Sequence, residues 1–166
     1  MGPRQMSVCF SGYRPEKLPW GEDESDPRCA ALKRRLYDAA ESACAQGYRH
    51  FICGMAQGCD LYFAEAVLAL RDIHRDLGLE AAIPCPTQAD RWAALSRERY
   101  EHILSCCDRQ TFIQQTYTPG CMQRRNEYMV DNSALLLACF AGIPSGTMNT
   151  LLYAQRKGIE SIIIDI

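Results

Sequence analysis

The chain has 166 residues, of which 48% are hydrophobic and 23% charged, and its formal charge at pH 7 is −2. This size suits one globular core and leaves little room for another, so we expect residues 1–166 to form a single domain. The small negative charge excludes a general attraction to nucleic acid, which would require a local basic patch. No apolar run reaches membrane-spanning length and residues 1–6 lack the apolar core of a signal peptide, so the sequence predicts a cytoplasmic protein.

Short apolar runs alternate along the chain with segments of helical spacing. We predict strands at residues 7–10, 51–53, 79–83, 110–113, 134–140 and 161–166, the last of them buried. The first helix begins at Asp26-Pro27, an N-cap followed by proline, and Gly47 ends it. Further helices are predicted over residues 61–70, 89–106 and 122–131, and from the loop 142–147 through Arg156.

Strands that alternate with helices, several of them apolar on both faces, are typical of a parallel sheet covered on both sides. We therefore predict an α/β fold of three layers, a Rossmann-like doubly wound and mostly parallel sheet flanked by helices. Ligands of such sheets bind beyond the carboxyl ends of the strands. This rule groups four loops that are far apart in sequence, at residues 11–14, 54–60, 84–88 and 142–147.

The loop CGMAQGCD at residues 53–60 is the most informative segment. A glycine-containing turn from a strand into a helix leaves unpaired N–H groups at the helix N-terminus. With the helix dipole, these form an anion site, most often for phosphate. We expect Gly54, Met55, Ala56 and Gly58 to contribute to it. Asp60 is either the helix N-cap or an acceptor for a ribose hydroxyl.

Two more loops offer groups that bind anions. Ser11-Gly12-Tyr13-Arg14 follows the first strand. Ser11 offers a hydroxyl, and Gly12 permits close approach of a ligand to the backbone. Arg14 can bind a phosphate through two parallel hydrogen bonds. The segment Ser145-Gly146-Thr147 opens the last helix and is a second anion candidate.

Several other side chains have both a functional and a structural interpretation. Arg124, Arg125 and Asn126 form a polar cluster, but adjacent arginines point about 100° apart on a helix, so at most one faces a given ligand. Glu65 is a candidate base or ribose ligand, or else it lies at the solvent edge of its helix. Trp92 either stacks on a base or packs in the core.

Ten cysteines invite a disulfide or metal interpretation that their spacing does not support. There is no C-x-x-C pair, and the three histidines are remote from any cysteine cluster. We expect buried free thiols, with the adjacent Cys106 and Cys107 as candidates for oxidation. The sequence predicts no metal site and no cofactor requirement.

Together these motifs resemble the SLOG superfamily, in its short bacterial YpsA/YoqJ-like branch, whose function is unknown. The resemblance covers nearly the whole chain, and it implies a Rossmann-like fold and a role in binding nucleotide-derived ligands. The residues that carry it are Ser11-Gly12-Tyr13-Arg14-Pro15, Gly54 to Asp60 with Glu65, Ile83-Pro84 with Gln88 and Trp92, Tyr100, Ile103-Leu104, Arg125-Asn126 and Met129-Val130-Asp131.

Two more distant resemblances supply alternatives. Met122-Gln123-Arg124-Arg125 with Ser145-Gly146-Thr147 is similar to the LOG phosphoribohydrolases, which cleave nucleoside monophosphates, but Thr150 stands where that family has its catalytic glutamate. Glu65 or Asp131 would have to replace it. The loop 53–60 also resembles that of DprA, which binds single-stranded DNA.

The leading hypothesis from the sequence is a domain that binds a nucleotide-derived, phosphate-bearing ligand at the carboxyl edge of its sheet, with sensing of that ligand as a further role. The expected ligand is a nucleotide, ADP-ribose or an NAD derivative. N-glycoside hydrolysis and DprA-like binding of single-stranded DNA are the alternatives. No membrane partner is expected, and a homo-oligomer is possible.

Overall fold

The computed structural model describes residues 4–166; Met1, Gly2 and Pro3, on which part of the signal-peptide expectation rests, lie outside them. Six strands are described: β1 (Ser7–Ser11), β2 (His50–Cys53), β3 (Gly78–Ile83), β4 (Arg109–Phe112), β5 (Leu135–Cys139) and β6 (Glu160–Ile164). The α-helices among the described residues are α1 (Pro27–Ala45), α2 (Cys59–Arg71), α3 (Ala94–Cys106), α4 (Cys121–Asp131) and α5 (Gly146–Lys157).

All six strands lie in one sheet, in the order β4-β3-β2-β1-β5-β6, and every neighbouring pair is parallel. From β1 the chain first builds the sheet in one direction through β4, and then returns to the other side of β1 with β5 and β6. The predicted α/β Rossmann-like fold is confirmed. The chain therefore has its topological switch point between β1 and β5, where such sheets bind ligands.

Helices cover both faces of the sheet. Successive residues of a strand point to opposite faces, so apolar strand residues pack against helices on each side. On one face, Val8 and Phe10 of β1 join the core formed with α1, α2 and α3. Phe10 stacks there on Phe63 of α2 with ring centroids 4.3 Å apart. On the other face, Cys9 packs with residues of α4 and α5, among them Met129. This double covering makes the three layers.

The prediction that the last strand is buried is wrong. β6 occupies one edge of the sheet, where Ile163 is 48% exposed. A run of isoleucines has high strand propensity wherever it lies, so it does not distinguish an edge strand from a central one. The other edge strand, β4, is likewise mostly exposed.

The third helix also begins later than residue 89. Three consecutive turns, in which Gln88 donates to Cys85, Asp90 to Thr87 and Trp92 to Ala89, occupy the chain before α3 begins at Ala94. Among residues 4–166 no helix has both the length and the apolarity to cross a membrane.

Candidate functional site

A cavity of about 280 Å³ lies at the switch point between β1 and β5, and we call it the switch-point cavity. Its walls come from the loops after β1, β2 and β5 and from the first turns of α4 and α5. Ten of the residues singled out from the sequence line it: Ser11, Gly12, Arg14, Ala56, Asp60, Arg125, Asn126, Ser145, Gly146 and Thr147.

The N-terminus of α5 forms one wall of this cavity. Ser145 is the N-cap, and its hydroxyl accepts the Met148 N–H at 3.2 Å. Gly146 and Thr147 are the first two residues of the helix, whose N–H groups have no intrahelical acceptor. The Thr147 hydroxyl lies 3.1 Å from that of Ser11, so the ends of β1 and α5 meet through two buried hydroxyls. Polar donors and the helix dipole thus converge on this wall.

The turn at residues 53–60 is arranged differently from the expectation. The N-cap of α2 is Gly58, so the interpretation of Asp60 as the N-cap is wrong. Asp60 lies in the first turn, where its carboxylate accepts the Ala56 N–H at 3.1 Å, and the Cys59 N–H donates to the Tyr13 carbonyl. Two donors of this turn are therefore already used, and what reaches the cavity is the Asp60 carboxylate.

Arg125 is the buried arginine of the pair, with only 3% of its surface exposed. Its guanidinium donates to the Gly54 carbonyl, and its Nε donates to Asn126 Oδ1 at 2.8 Å. A Cβ added to Gly54 would lie 2.8 Å from Arg125 Cζ, so only glycine leaves room for this side chain. Burial lowers the pKa of Arg125 below its ordinary value. Arg125 thus lies under the cavity as a fixed positive group, because arginine stays protonated in proteins.

Two carboxylates line the cavity: Glu16, which is exposed, and Asp60, which is buried with 6% of its surface exposed. Burial raises its pKa to about 6, although the Arg125 charge, the Ala56 N–H and the Arg14 charge act in the opposite direction. The desolvation of the charged form is therefore only partly offset. Near neutral pH this group changes between an acceptor-only carboxylate and a carboxylic acid that also donates.

Tyr13 is the residue that the sequence interpretation missed. Its hydroxyl accepts N–H bonds from Ala141 at 3.0 Å and Ile143 at 2.9 Å, and donates to the Ile143 carbonyl at 3.2 Å. Its own carbonyl accepts the Cys59 N–H at 3.1 Å. One residue therefore joins the loops after β1, β2 and β5. No spacing signal reveals it, because its side-chain partners are 128 and 130 positions away.

Five candidates do not line the cavity. Glu65 is exposed on α2 and forms an ion pair with Arg99, while Arg124 is exposed and donates to Gln114 Oε1 at 3.2 Å. Met55 is fully buried with a φ of 61°, and Gly58 packs against the Tyr13 carbonyl. The fifth is Gly54, whose carbonyl accepts a hydrogen bond from Arg125 and whose missing side chain leaves room for that residue.

Two further side chains bear on the hydrolase alternative. Thr150 is fully buried and donates to the Gly146 carbonyl at 2.8 Å, so it does not present a group to the cavity. Asp131, at the end of α4, accepts from the Tyr153 hydroxyl at 2.9 Å, outside the cavity. Within residues 4–166 there is also no group of three or more His, Cys, Asp or Glu residues that could hold a metal ion.

A three-layer Rossmann-like sheet with a polar cavity at its switch point defines the class of protein to which the chain belongs. The sequence model described as the YspA SLOG family matches residues 8–160, and the chain belongs to this family. It is 28% identical over 144 residues to the uncharacterized SPbeta prophage-derived protein YoqJ of Bacillus subtilis (strain 168), across 79% of this chain and 84% of that protein. It is 24% identical over 152 residues to a UPF0398 protein of Bacillus cereus (strain G9842), across 90% of this chain and 82% of the relative.

Two solved structures share the fold. One is DNA processing protein A (DprA) from Streptococcus pneumoniae, with a TM-score of 0.64 and 11% identity across 96% of this chain. The other is DNA processing protein A from Helicobacter pylori, whose structure concerns its single-stranded DNA binding mode, with a TM-score of 0.64 and 16% identity across 96% of this chain. The chain spans 50% and 65% of those longer proteins.

The Tyr13 hydroxyl gives a testable stability prediction. Tyr13→Phe removes the hydrogen bonds of the hydroxyl to the Ala141 and Ile143 N–H groups and to the Ile143 carbonyl. Because Ala141 and Ile143 are exposed, water replaces part of what is lost, and the net value of about 0.5–1.5 kcal/mol per hydrogen bond applies. We expect the free energy of unfolding, measured by urea denaturation, to fall by about 1–2 kcal/mol. Tyr37→Phe, on α1, is the control and should change it little. Equal stability of the two variants would contradict the role assigned to Tyr13.

Asp60 gives a second prediction, on pH. Its folded-state pKa of about 6 lies above the ordinary 3.8, so between these values the folded protein binds the proton more tightly than the unfolded chain. The contribution is fully present below about pH 4 and is lost as the pH rises through about 6. Relative to Asp60→Asn, we expect the wild-type free energy of unfolding to fall by about 2 kcal/mol between pH 4 and 7, at about 1.4 kcal/mol per pKa unit. A difference that stays constant with pH would contradict the raised pKa.

Proposed function

We propose that this protein binds a nucleotide-derived, phosphate-bearing ligand in the switch-point cavity, and that residues 1–166 act as one domain. The observation that carries the proposal is the wall formed by the α5 N-terminus. There the N–H groups of Gly146 and Thr147 and the hydroxyls of Ser11 and Thr147 border one cavity with Arg14. Such a combination of helix dipole, amides and cation suits a phosphate.

The other wall supports a sugar next to the phosphate. Asp60 Oδ2 is held by the Ala56 N–H, and its carboxylate is an acceptor suited to a ribose hydroxyl. Asn126 Oδ1 is occupied by Arg125, and its Nδ2 lies toward Gly146, 3.9 Å from where a Cβ on that glycine would be. An acceptor on one side and donors on the other match a ribose phosphate better than a free phosphate.

We propose binding in preference to N-glycoside hydrolysis. The LOG-like reaction requires a carboxylate beside the oxocarbenium-like transition state. Of the two substitutes considered from the sequence, Glu65 is paired with Arg99 and Asp131 contacts Tyr153, and neither lines the cavity. The carboxylates that do line the cavity are Asp60, which already accepts the Ala56 N–H, and Glu16, which is exposed to solvent.

The proposal predicts selective loss of ligand binding. Thr147→Val keeps the side-chain shape but removes a hydroxyl, and Arg14→Ala removes a cation. Because hydrogen bonds to charged groups contribute about 1.5–3 kcal/mol, each change should weaken binding of AMP or ADP-ribose about tenfold or more. Arg124→Ala is the matched control, because that arginine does not line the cavity. Isothermal titration calorimetry measures the affinities.

A thermal-shift screen of nucleotides, ADP-ribose and NAD selects the compounds for this test. A ligand at 100 times its dissociation constant stabilises the folded state by about 2.7 kcal/mol, which is readily detected. If no compound shifts the melting temperature at millimolar concentration, the proposed function is wrong. If Arg124→Ala weakens ligand binding as much as Thr147→Val and Arg14→Ala do, the proposed position of the phosphate in the cavity is wrong.

Single-stranded DNA binding is the second candidate, and the observation that favours it is the fold shared with the Helicobacter pylori DNA processing protein A. It predicts an affinity for a short oligonucleotide that falls as the salt concentration rises, because phosphate contacts release counterions. Fluorescence anisotropy with a labelled oligothymidylate between 20 and 200 mM salt, about one decade, measures this dependence. No binding at the lowest salt would remove the candidate.

A further inference from the structure

The switch-point cavity continues into a groove along the carboxyl edge of the sheet. A depression of about 160 Å³ shares Arg14, Ala56 and Met122 with the cavity. A larger space of about 610 Å³ shares Gln88, Trp92 and Met122 with that depression. Met122 borders all three spaces, so they adjoin one another along this edge, and we call the three together the groove, with the cavity at one end.

The size of the cavity indicates that a nucleotide would extend into this groove. At about 280 Å³ the cavity lies just below the range of about 300–1,000 Å³ that is typical of small-molecule sites. A phosphate and its sugar fit the polar walls described above. Any further part of the ligand would pass over Met122 toward the larger space.

The far end of the groove, which we call the aromatic end, is lined by Trp92 and Tyr117 together with Cys85 and Met122. Trp92 packs edge-on against Tyr100, with centroids 5.2 Å apart and an interplanar angle of 76°. Tyr100 is itself only 6% exposed, so the indole is held from behind by the core. Of the two interpretations left open by the sequence, the core packing of Trp92 is observed. Because Trp92 also lines the groove, its stacking on a base stays a prediction.

Tyr117 is 61% exposed, yet its loop is held by specific bonds. Gln114 Nε2 donates to the Thr116 carbonyl and to Thr118 Oγ1, both at 2.7 Å. Arg124 donates to Gln114 Oε1, which assigns this arginine to the loop and not to the ligand. A large aromatic side chain on a tied loop offers a ring for stacking at a small cost in conformational entropy.

The groove carries charges of both signs. Arg14 and Glu16 border both the cavity and the depression, Lys17 borders the cavity, and Glu22 borders the depression. Asp90 lies beside Arg91 at the aromatic end. Arg14 has no ion-pair partner among residues 4–166, so it is the cation of the depression that can pair with a short anionic bridge. A long polyanion would meet the carboxylates.

We propose that the groove binds a nucleoside diphosphate derivative in which a pyrophosphate joins two halves. A ribose phosphate half would occupy the switch-point cavity, the pyrophosphate would lie beside Arg14, and a planar base would stack at the aromatic end on Trp92 and Tyr117. The inference rests on the proposed function and names the class of its ligand.

The test compares two probes, ADP-ribose and ribose 5-phosphate, by isothermal titration calorimetry. Wild-type protein should bind ADP-ribose at least tenfold more tightly than ribose 5-phosphate. Trp92→Ala and Tyr117→Ala should each weaken ADP-ribose about fivefold or more, the low end of the range for base–aromatic stacking. Neither variant should change the affinity for ribose 5-phosphate, because that probe does not reach the aromatic end.

Conservative and distant variants separate stacking from a general effect on folding. Tyr117→Phe keeps the ring and should bind ADP-ribose like the wild type. Leu95→Ala changes an exposed apolar residue outside the groove, 81% exposed, and should have no effect. If Trp92→Ala lowers the melting temperature strongly, its binding data do not count. Trp92→Phe, and Tyr117→Ala at an exposed position, then test whether a base stacks at the aromatic end.

Fluorescence gives an independent readout. The chain has two tryptophans, Trp20 and Trp92, and Trp20 is only 7% exposed. In a Trp20→Phe variant the emission reports on Trp92 alone, and it should be quenched by ADP-ribose but not by ribose 5-phosphate.

Each failure has a distinct meaning. If both alanine variants bind ADP-ribose as the wild type does, while ribose 5-phosphate still binds, the aromatic end is wrong and the proposed function stands. If neither probe binds at millimolar concentration, the proposed function fails and this inference fails with it. If the protein binds neither probe but binds an oligonucleotide in a salt-sensitive manner, the proposal of a pyrophosphate-containing ligand is also wrong.

Discussion

The site depends on the hydrogen bonds of Tyr13. Three loops that leave separate strands need a common anchor if they are to form one cavity, since each could otherwise move independently. The Tyr13 hydroxyl uses its full capacity on the chain around Ala141 and Ile143, and its carbonyl binds the Cys59 N–H. Both contacts start from the loop that follows β1, the strand at which the sheet changes its building direction. The loops around the cavity are therefore joined through a residue just beyond the strand that organises the fold.

A second constraint is the buried charge beneath the cavity. Arg125 is held by backbone and amide oxygens, and no carboxylate lies within ion-pair distance of it among residues 4–166. Its charge favours the ionised form of Asp60, which burial disfavours, and the pKa of Asp60 remains raised to about 6. Burying a charge without a partner is costly, so such an arrangement is retained where a nearby anion offsets the cost. A phosphate in the cavity would supply that anion.

The sequence predicted the fold and most of the site lining for identifiable reasons. Parallel strands buried on both faces have a strong apolar signal. The rule that ligands bind beyond their carboxyl ends grouped the loops after β1, β2 and β5, which border the switch-point cavity, with the loop at residues 84–88, which does not. The N-cap interpretation of Asp60 is wrong for a local reason: the helix begins two residues earlier than the pattern indicates, with Gly58, at φ 85°, as its N-cap. Other predictions failed because the deciding partner is remote. Glu65 could not be oriented, because its partner Arg99 lies 34 residues further along the chain.

The sequence by itself determined the succession of strands and helices, the parallel sheet and the glycines at its turns, because these follow from local periodicity and backbone freedom. Only the tertiary structure decided which arginine is buried, that β6 is an edge strand, and that Tyr13 joins three loops. Only it also decided that the cavity continues over Met122 to Trp92 and Tyr117. These features depend on contacts between residues far apart in the chain, for which a single sequence has no periodic or spacing signal.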